Sequence, residues 1–212
     1  MSKDATSKMV ALAFDHLAFA AETLDEGREV VEAALGVPLG PVGHHASMST
    51  HNRLLGLGPG EYFEVIAIDP AAPPVAHPRW FDLDRFKGAP KLTNWILRCD
   101  DLDRALAAAP AGAGQPVALE RGDFRWRMGV PATGCLPYDN AFPALIEWQG
   151  RLHPSDRLPD SGCRLQRLEV AHPDALALRK VLPLRDPRVV FVKGPKAFRA
   201  TILTPHGTRV LE

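Results

Sequence analysis

One order of structural elements occurs twice along this chain, and that repetition restricts the possible folds more than composition does. Hydrophobic periodicity makes "MVALAFDHLAFA" an extended run. "TLDEGREVVEAALG" reads as a helix capped by Thr23 or Asp25, striped by Val30, Val31, Ala34 and Leu35, and stopped by Gly36. "NRLLGLG" and "EYFEVIAID" are two strands about the turn signal "GPG". The proline-rich "DPAAPPVAHP" reads as a linker or a loop crossing the surface. After it the order begins again: strand "KLTNWILRC", helix "DDLDRALAAA" capped by Asp100 or Asp101, and strands "QPVALE", "FRWRMGVP" and "FPALIEWQ". A third, shorter unit has the strand "RLQRLEVAH", a helix with Pro173 in its first turn, and three more strands. It either completes the sheet or covers one end of it. The expected fold is α+β, with paired βαβββ modules at residues 9–70 and 90–150 forming a cupped mixed β-sheet. A partial β-α-β-β module at 163–212 packs on the same domain.

Superposing Leu24 on Leu102 sets His16 against Asn94, and matching the final strands sets Glu64 against Glu147. The unusual polar residues therefore fall on equivalent first and last strands. Because side chains alternate along a strand, Phe14, His16 and Ala18 are expected to share one face, as are Tyr62, Glu64 and Ile66. Asn94 goes with Ile96 and Arg98, and Leu145 with Glu147 and Gln149. If helices cover the opposite face, this one carries His16, Glu64, Asn94, Arg98 and Glu147. Arg125 and Arg127 join them if Trp126 turns toward the helices. A carboxylate on a central strand is costly unless paired or bound to metal, which makes this face a candidate site.

With 25 basic and 25 acidic side chains in 212 residues, the chain has no net field to gather phosphates, so nucleic acid is not an expected partner. No uninterrupted apolar run reaches the roughly 18 residues of a membrane span. The N-terminal stretch is broken by Asp15 and His16 and does not read as a signal peptide. Cys99, Cys135 and Cys163 are odd in number, widely spaced and outside any Cys-x-x-Cys, which fits a reducing cytoplasm. Nucleophile-elbow, Walker and His-Glu-x-x-His motifs are absent.

The stretches "FDHLAFAAETLDEG", "GHHASMSTHNRLLGLGPGEYFEVIAID", "WILRCDDLD" and "FPALIEWQGRLHPSD", with the tail "LEVAHPDALALRKVL", resemble the glyoxalase-like domain family of the vicinal oxygen chelate superfamily. In that superfamily two βαβββ modules curl into a cup that holds a divalent metal. The resemblance implies His16, Glu64 and Glu147 as metal ligands, for zinc, nickel, manganese or iron, with Glu147 also moving a proton in a lyase or isomerase acting on a carbonyl compound. Asn94 stands where the fourth ligand is expected. An amide is a weak ligand, so either three residues and water hold the metal or the site has none. The second case implies a binding or sequestering protein without catalysis.

His45, Thr50 and Asn52 resemble recurring polar positions of the family, whereas His44 and His51 do not. "GHHASMST" reads as a loop or irregular edge, and clustered polar groups at the mouth of a cup suit ligand contact. The expected small-molecule contacts are thus His45, Thr50, Asn52, Tyr62, Asn94, Arg98, Arg125 and Arg127, the arginines holding an anionic group. The resemblance also admits a homodimer.

Overall fold

In this computed structural model, which describes residues 10–212, the first unit runs β1 (Ala13–Ala20), α1 (Leu24–Leu35), β2 (Val42–His45), β3 (Thr50–Gly58) and β4 (Glu61–Ile68). Met9, the expected first residue of that module, lies outside the described residues. The second unit runs β5 (Lys91–Arg98), α2 (Leu102–Ala108), β6 (Gln115–Arg121), β7 (Phe124–Val130) and β8 (Ala144–Gln149). Their strands form one mixed eight-stranded sheet in the order β2-β3-β4-β1-β5-β8-β7-β6, so the two modules join at their first strands, which pair antiparallel. The third unit, β9 (Arg164–His172), α3 (Ala175–Val181), β10 (Val189–Lys193), β11 (Ala197–Thr204) and β12 (Gly207–Leu211), builds its own four-stranded sheet, β10-β9-β11-β12, instead of extending the first.

Local chemistry sets the helix positions. Thr23 Oγ1 accepts from the Glu26 N–H at 3.2 Å, and Gly36 closes α1 in the left-handed conformation at φ 72°. Asp101 caps α2 through the Arg104 N–H at 3.0 Å. Gly27 lets α1 lie close to the sheet, because a Cβ there would stand 2.6 Å from Val65 Cγ1. The outer face of the large sheet buries Leu17, Phe19, Phe63, Val65, Trp95 and Leu97 against Val31 and Leu35 of α1, Leu102 of α2, and Leu168, Leu178, Phe198 and Ile202 of the third unit. The third unit therefore closes the outer core, while the inner face of the cup is left to a second apolar cluster.

Two segments differ from the sequence expectation. Val42–His45 is a regular strand paired with β3, so only residues 46–49 of "GHHASMST" form the turn. The proline-rich stretch leads into a kinked 3-10 segment, Trp80–Arg85, which buries Trp80, Phe81 and Leu83 in the inner cluster with Ala18, Ala20, Ile66, Ile96, Trp126 and Ile146. Phe81 and Asp82 both have φ of 58°, an unusual conformation for side chains of that size. The proline-rich stretch itself runs exposed over the surface as expected, and what the sequence reading did not assign is the plug that follows it.

Candidate functional site

The pairing of β1 with β5 slips by one residue between Phe14 and His16. Phe14 aligns with Leu97 and enters the outer core, His16 aligns with Ile96 on the inner face, and Asp15 is the extra residue of the bulge. The expectation that Phe14 shares a face with His16 fails for that reason. The bulge leaves Asp15 and His16, adjacent in sequence, hydrogen-bonded to each other, with Asp15 fully buried. Arg98 braces this irregularity through Nη1, which donates to the Phe14 carbonyl at 2.7 Å and to Gly60 O at 2.6 Å, 3.8 Å from Asp15 Oδ2. That role replaces the expected ligand contact.

Asp15 Oδ1 lies 2.6 Å from His16 Nδ1, and Oδ2 lies 3.0 Å from Trp148 Nε1 and 3.1 Å from His153 Nε2. Burial pushes the Asp15 carboxyl up, but the hydrogen bonds from His153 and His16, and their charges, outweigh it and hold Asp15 well below the usual carboxylate range. An ionised carboxylate only accepts, so His16 Nδ1 carries a proton, and in the neutral form of the ring it is the Nε2 lone pair that faces the cup. Nε2 stands 3.6 Å from Glu64 Oε2 and 3.5 Å from the Tyr62 hydroxyl, whose ring stacks on the imidazole at 4.2 Å. Burial, with Asp15 and Glu64 adding to it, raises the Tyr62 phenol well above its ordinary value, so it stays a neutral hydroxyl.

A chain of hydrogen bonds runs on from Glu64. The Asn52 amide donates to Glu64 Oε1 at 2.5 Å and accepts at Oδ1 from Arg121 Nη1 at 2.8 Å. Asn52 Nδ2 also lies 3.4 Å from His45 Nε2, and His45 Nδ1 lies 3.1 Å from Thr50 Oγ1. Burial, helped by the charge of Arg121, lowers His45 to about 3, so it is a neutral imidazole. Arg121, on β6, thereby bridges the last strand of the sheet to the first-module wall. At this seam Gly43 has no side chain, and a Cβ would meet Asn52 Oδ1 at 2.6 Å and Arg121 Nη1 at 2.9 Å. The cavity inside is lined by these polar groups on one side and by Trp80, Phe81, Trp126, Met128, Ile146 and Trp148 on the other, and measures about 20 Å³. That is close to the space of a single water. The Trp80–Phe81 plug fills the rest.

The cup thus gathers His16, Glu64, Tyr62, His45 and Asn52 at its lining, with Thr50 hydrogen-bonded behind His45, and adds Arg121 and the tryptophans at the lining and Asp15 behind His16, which sequence reasoning did not assign. Besides Arg98, four expected site residues lie elsewhere. Glu147 alternates with Ile146 and Trp148, which take the inner face, so it points outward; its Oε2 accepts from the Leu102 N–H at 2.9 Å at the start of α2 and pairs with Arg127 at 3.3 Å. Arg127 also binds Asp103 at 2.7 Å, and Arg125 binds Glu120 at 3.1 Å. Both arginines turn outward because Trp126 between them pairs with Trp148 inside the cup. Asn94 lies across from Ala18 in the inner layer but is not among the residues lining the cavity. It is fully buried, and neither of its amide atoms has a hydrogen-bond partner among the described residues; the same holds for Trp80 Nε1.

The metal implied for such cups does not fit these residues. His16 and Glu64 converge, but the third expected ligand is on the other face and Ile146 and Trp148 occupy the inner positions of β8. Among the described residues, the one set of three His, Cys, Asp or Glu side chains with ligand atoms within 4.8 Å of one another is His44, His51 and Asp69, outside the cup lining. No described helix is long and apolar enough to cross a membrane.

The family described as "Glyoxalase-like domain" matches residues 14–184. No curated protein matches the chain. Among solved structures, a hypothetical protein from Staphylococcus aureus is 14% identical, with 87% of this chain and 86% of that one covered and a TM-score of 0.57. Methylmalonyl-CoA epimerase from Mycobacterium tuberculosis is 18% identical over 66% of this chain and 88% of that one, TM-score 0.43. A mutant of 4-hydroxymandelate synthase from Streptomyces coelicolor is 17% identical over 68% and 51%, TM-score 0.41. At its identity the likeness to the Staphylococcus aureus protein extends to the fold and no further.

Proposed function

The chain belongs to the glyoxalase-like domain family, and from that premise we propose that its cup takes a small organic carbonyl compound and that His16 moves a proton on it. The observation that carries this reading is the buried Asp15–His16 pair at the β1 bulge, which fixes the imidazole with Nδ1 protonated and Nε2 aimed at the cavity. A carboxylate that orients an imidazole in this way prepares it as a general base. Glu64 Oε2, 3.6 Å from Nε2, flanks the same space, and the neutral Tyr62 hydroxyl can donate to a ligand oxygen on which negative charge develops.

Two further features support a polar ligand. A buried polar atom without a partner costs about 1–3 kcal/mol, and the indole N–H of Trp80, which lines the cavity, is in that state among the described residues. The cavity of about 20 Å³ requires Trp80 and Phe81 to swing out when a ligand enters, and the left-handed backbone at Phe81 and Asp82 is where such a movement would begin. The test is deuterium incorporation at the carbon next to the carbonyl, followed by NMR across a set of small keto and aldehyde acids in D2O. Native protein is expected to speed exchange for the compounds it binds, and His16→Gln to slow it by about 10²–10⁴-fold while leaving binding in place. Binding without any exchange would leave the cup a sequestering site and remove the proton-transfer reading.

A further inference from the structure

On the outer face of the first module, two neighbouring strands and the residue just past a third place one metal-capable side chain each in a row. His44 of β2 lies directly across from His51 of β3, and Asp69 follows β4 two residues beyond Ala67, the partner of His51. Their ligand atoms lie within 4.8 Å of one another: His44 Nδ1 is 2.8 Å from Asp69 Oδ2, and His51 Nδ1 is 4.0 Å from Asp69 Oδ1. The Ala71 N–H donates to Asp69 Oδ1 at 2.9 Å and fixes the carboxylate from behind, an arrangement that orients ligands in metal sites. A histidine–aspartate ion pair accounts for His44 but not for His51. At 4.0 Å the His51 Nδ1 is beyond hydrogen bonding, and its Nε2 is buried with no partner among the described residues.

We propose that His44, His51 and Asp69 bind a first-row divalent ion of the zinc class, separate from the cup. Two imidazoles and a carboxylate form a donor set of the kind that holds such ions with the remaining positions open to water. Bonds of about 2.0–2.1 Å place neighbouring ligand atoms of a tetrahedral site roughly 3.3 Å apart. One contact is already closer than that, and the 65% exposed His44 side chain is free to rotate toward an ion. The ion would clip the four-residue edge strand β2 to β3 and to the end of β4. His45, next to His44, faces the cup, so the clip also steadies one wall of the ligand site.

The experiment is titration of tag-free, chelator-treated protein with Zn2+ by calorimetry and with Co2+ by visible absorption. One equivalent is expected to bind and to raise the thermal midpoint, with His44→Ala and His51→Ala each weakening binding at least about 10-fold. His44 is largely in solvent, so His44→Ala is expected to fold with its metal-free midpoint near that of the native protein. His16→Gln and Glu64→Gln should bind as the native chain does. The proposal is overturned if native protein takes up neither ion at millimolar concentration, if the double variant His44→Ala/His51→Ala binds as tightly as native, or if binding disappears in the cup variants instead. None of these results depends on whether the cup moves protons.

Discussion

Replacing Asp15 with asparagine should damage the fold and the proposed chemistry by separate routes. The carboxylate accepts from three fixed donors, with Trp148 and His153 on Oδ2 and His16 on Oδ1. An indole N–H cannot become an acceptor, so the new amide oxygen must take the Oδ2 position and its NH2 must face His16. The imidazole can meet that NH2 only by moving its proton from Nδ1 to Nε2, which points a donor into the cup and abolishes the base. Hydrogen bonds to a charged group contribute about 1.5–3 kcal/mol each against about 1 for neutral ones, so weakening three, partly offset by no longer burying a charge, costs about 3 kcal/mol. For a chain of this length that corresponds to a fall of about 6–12 °C in thermal midpoint. Because Asp15 is depressed in the folded state, its contribution is present above the unfolded carboxylate pKa and lost as pH falls below about 4, so Asp15→Asn should also flatten the acid limb of stability. The assays are thermal unfolding from pH 7 to pH 2 and nitrogen-15 NMR of the His16 ring. A midpoint within 2 °C of native, by the same per-kcal scale of about 2–4 °C, together with an unchanged tautomer, would refute the reasoning.

Two other perturbations separate the inner face from the outer one. His45 is lowered to about 3 by burial, so the unfolded chain takes up its proton first, near pH 6.5; stability should drop by up to about 1.4 kcal/mol per pH unit from there toward pH 3, and His45→Gln should remove that slope in urea titrations at pH 7, 5 and 4. Glu147→Ala should cost about 1 kcal/mol through the start of α2, measured by urea unfolding, with ligand binding in the cup unchanged; loss of binding would return Glu147 to the site.

The element order was legible because helix caps, glycine stops and strand runs are local signals, and each of them acts as expected at Thr23, Gly36 and Asp101. Side-chain facing was legible where one face is polar: Tyr62, Glu64 and Ile66 on β4 line up as their alternation implies. It failed on β8 because "ALIEWQ" is apolar on both faces, so neither phase of the alternation is preferred and Glu147 aligned with Glu64 by position alone. It failed at Phe14 because a bulge adds one residue without a composition signal. The plug at Trp80 was hidden by its proline-rich approach, which looks like any exposed connector. Arg121 was reachable only through the seam between the two ends of the sheet, a contact that no local pattern encodes.

The two halves of the cup are chemically unequal. Apart from Arg121, every ionisable group facing the cavity comes from the first module, while β7 and β8 present indoles, a thioether and an isoleucine. If the cup moves protons as proposed, selectivity and reactivity fall on different stretches of the chain. On that reading, randomising the codons for Trp126, Met128 and Ile146, while keeping Trp148 because its indole holds Asp15, should retune which molecules are accepted without touching the groups that handle protons, and the converse experiment should yield inert receptors of unaltered preference.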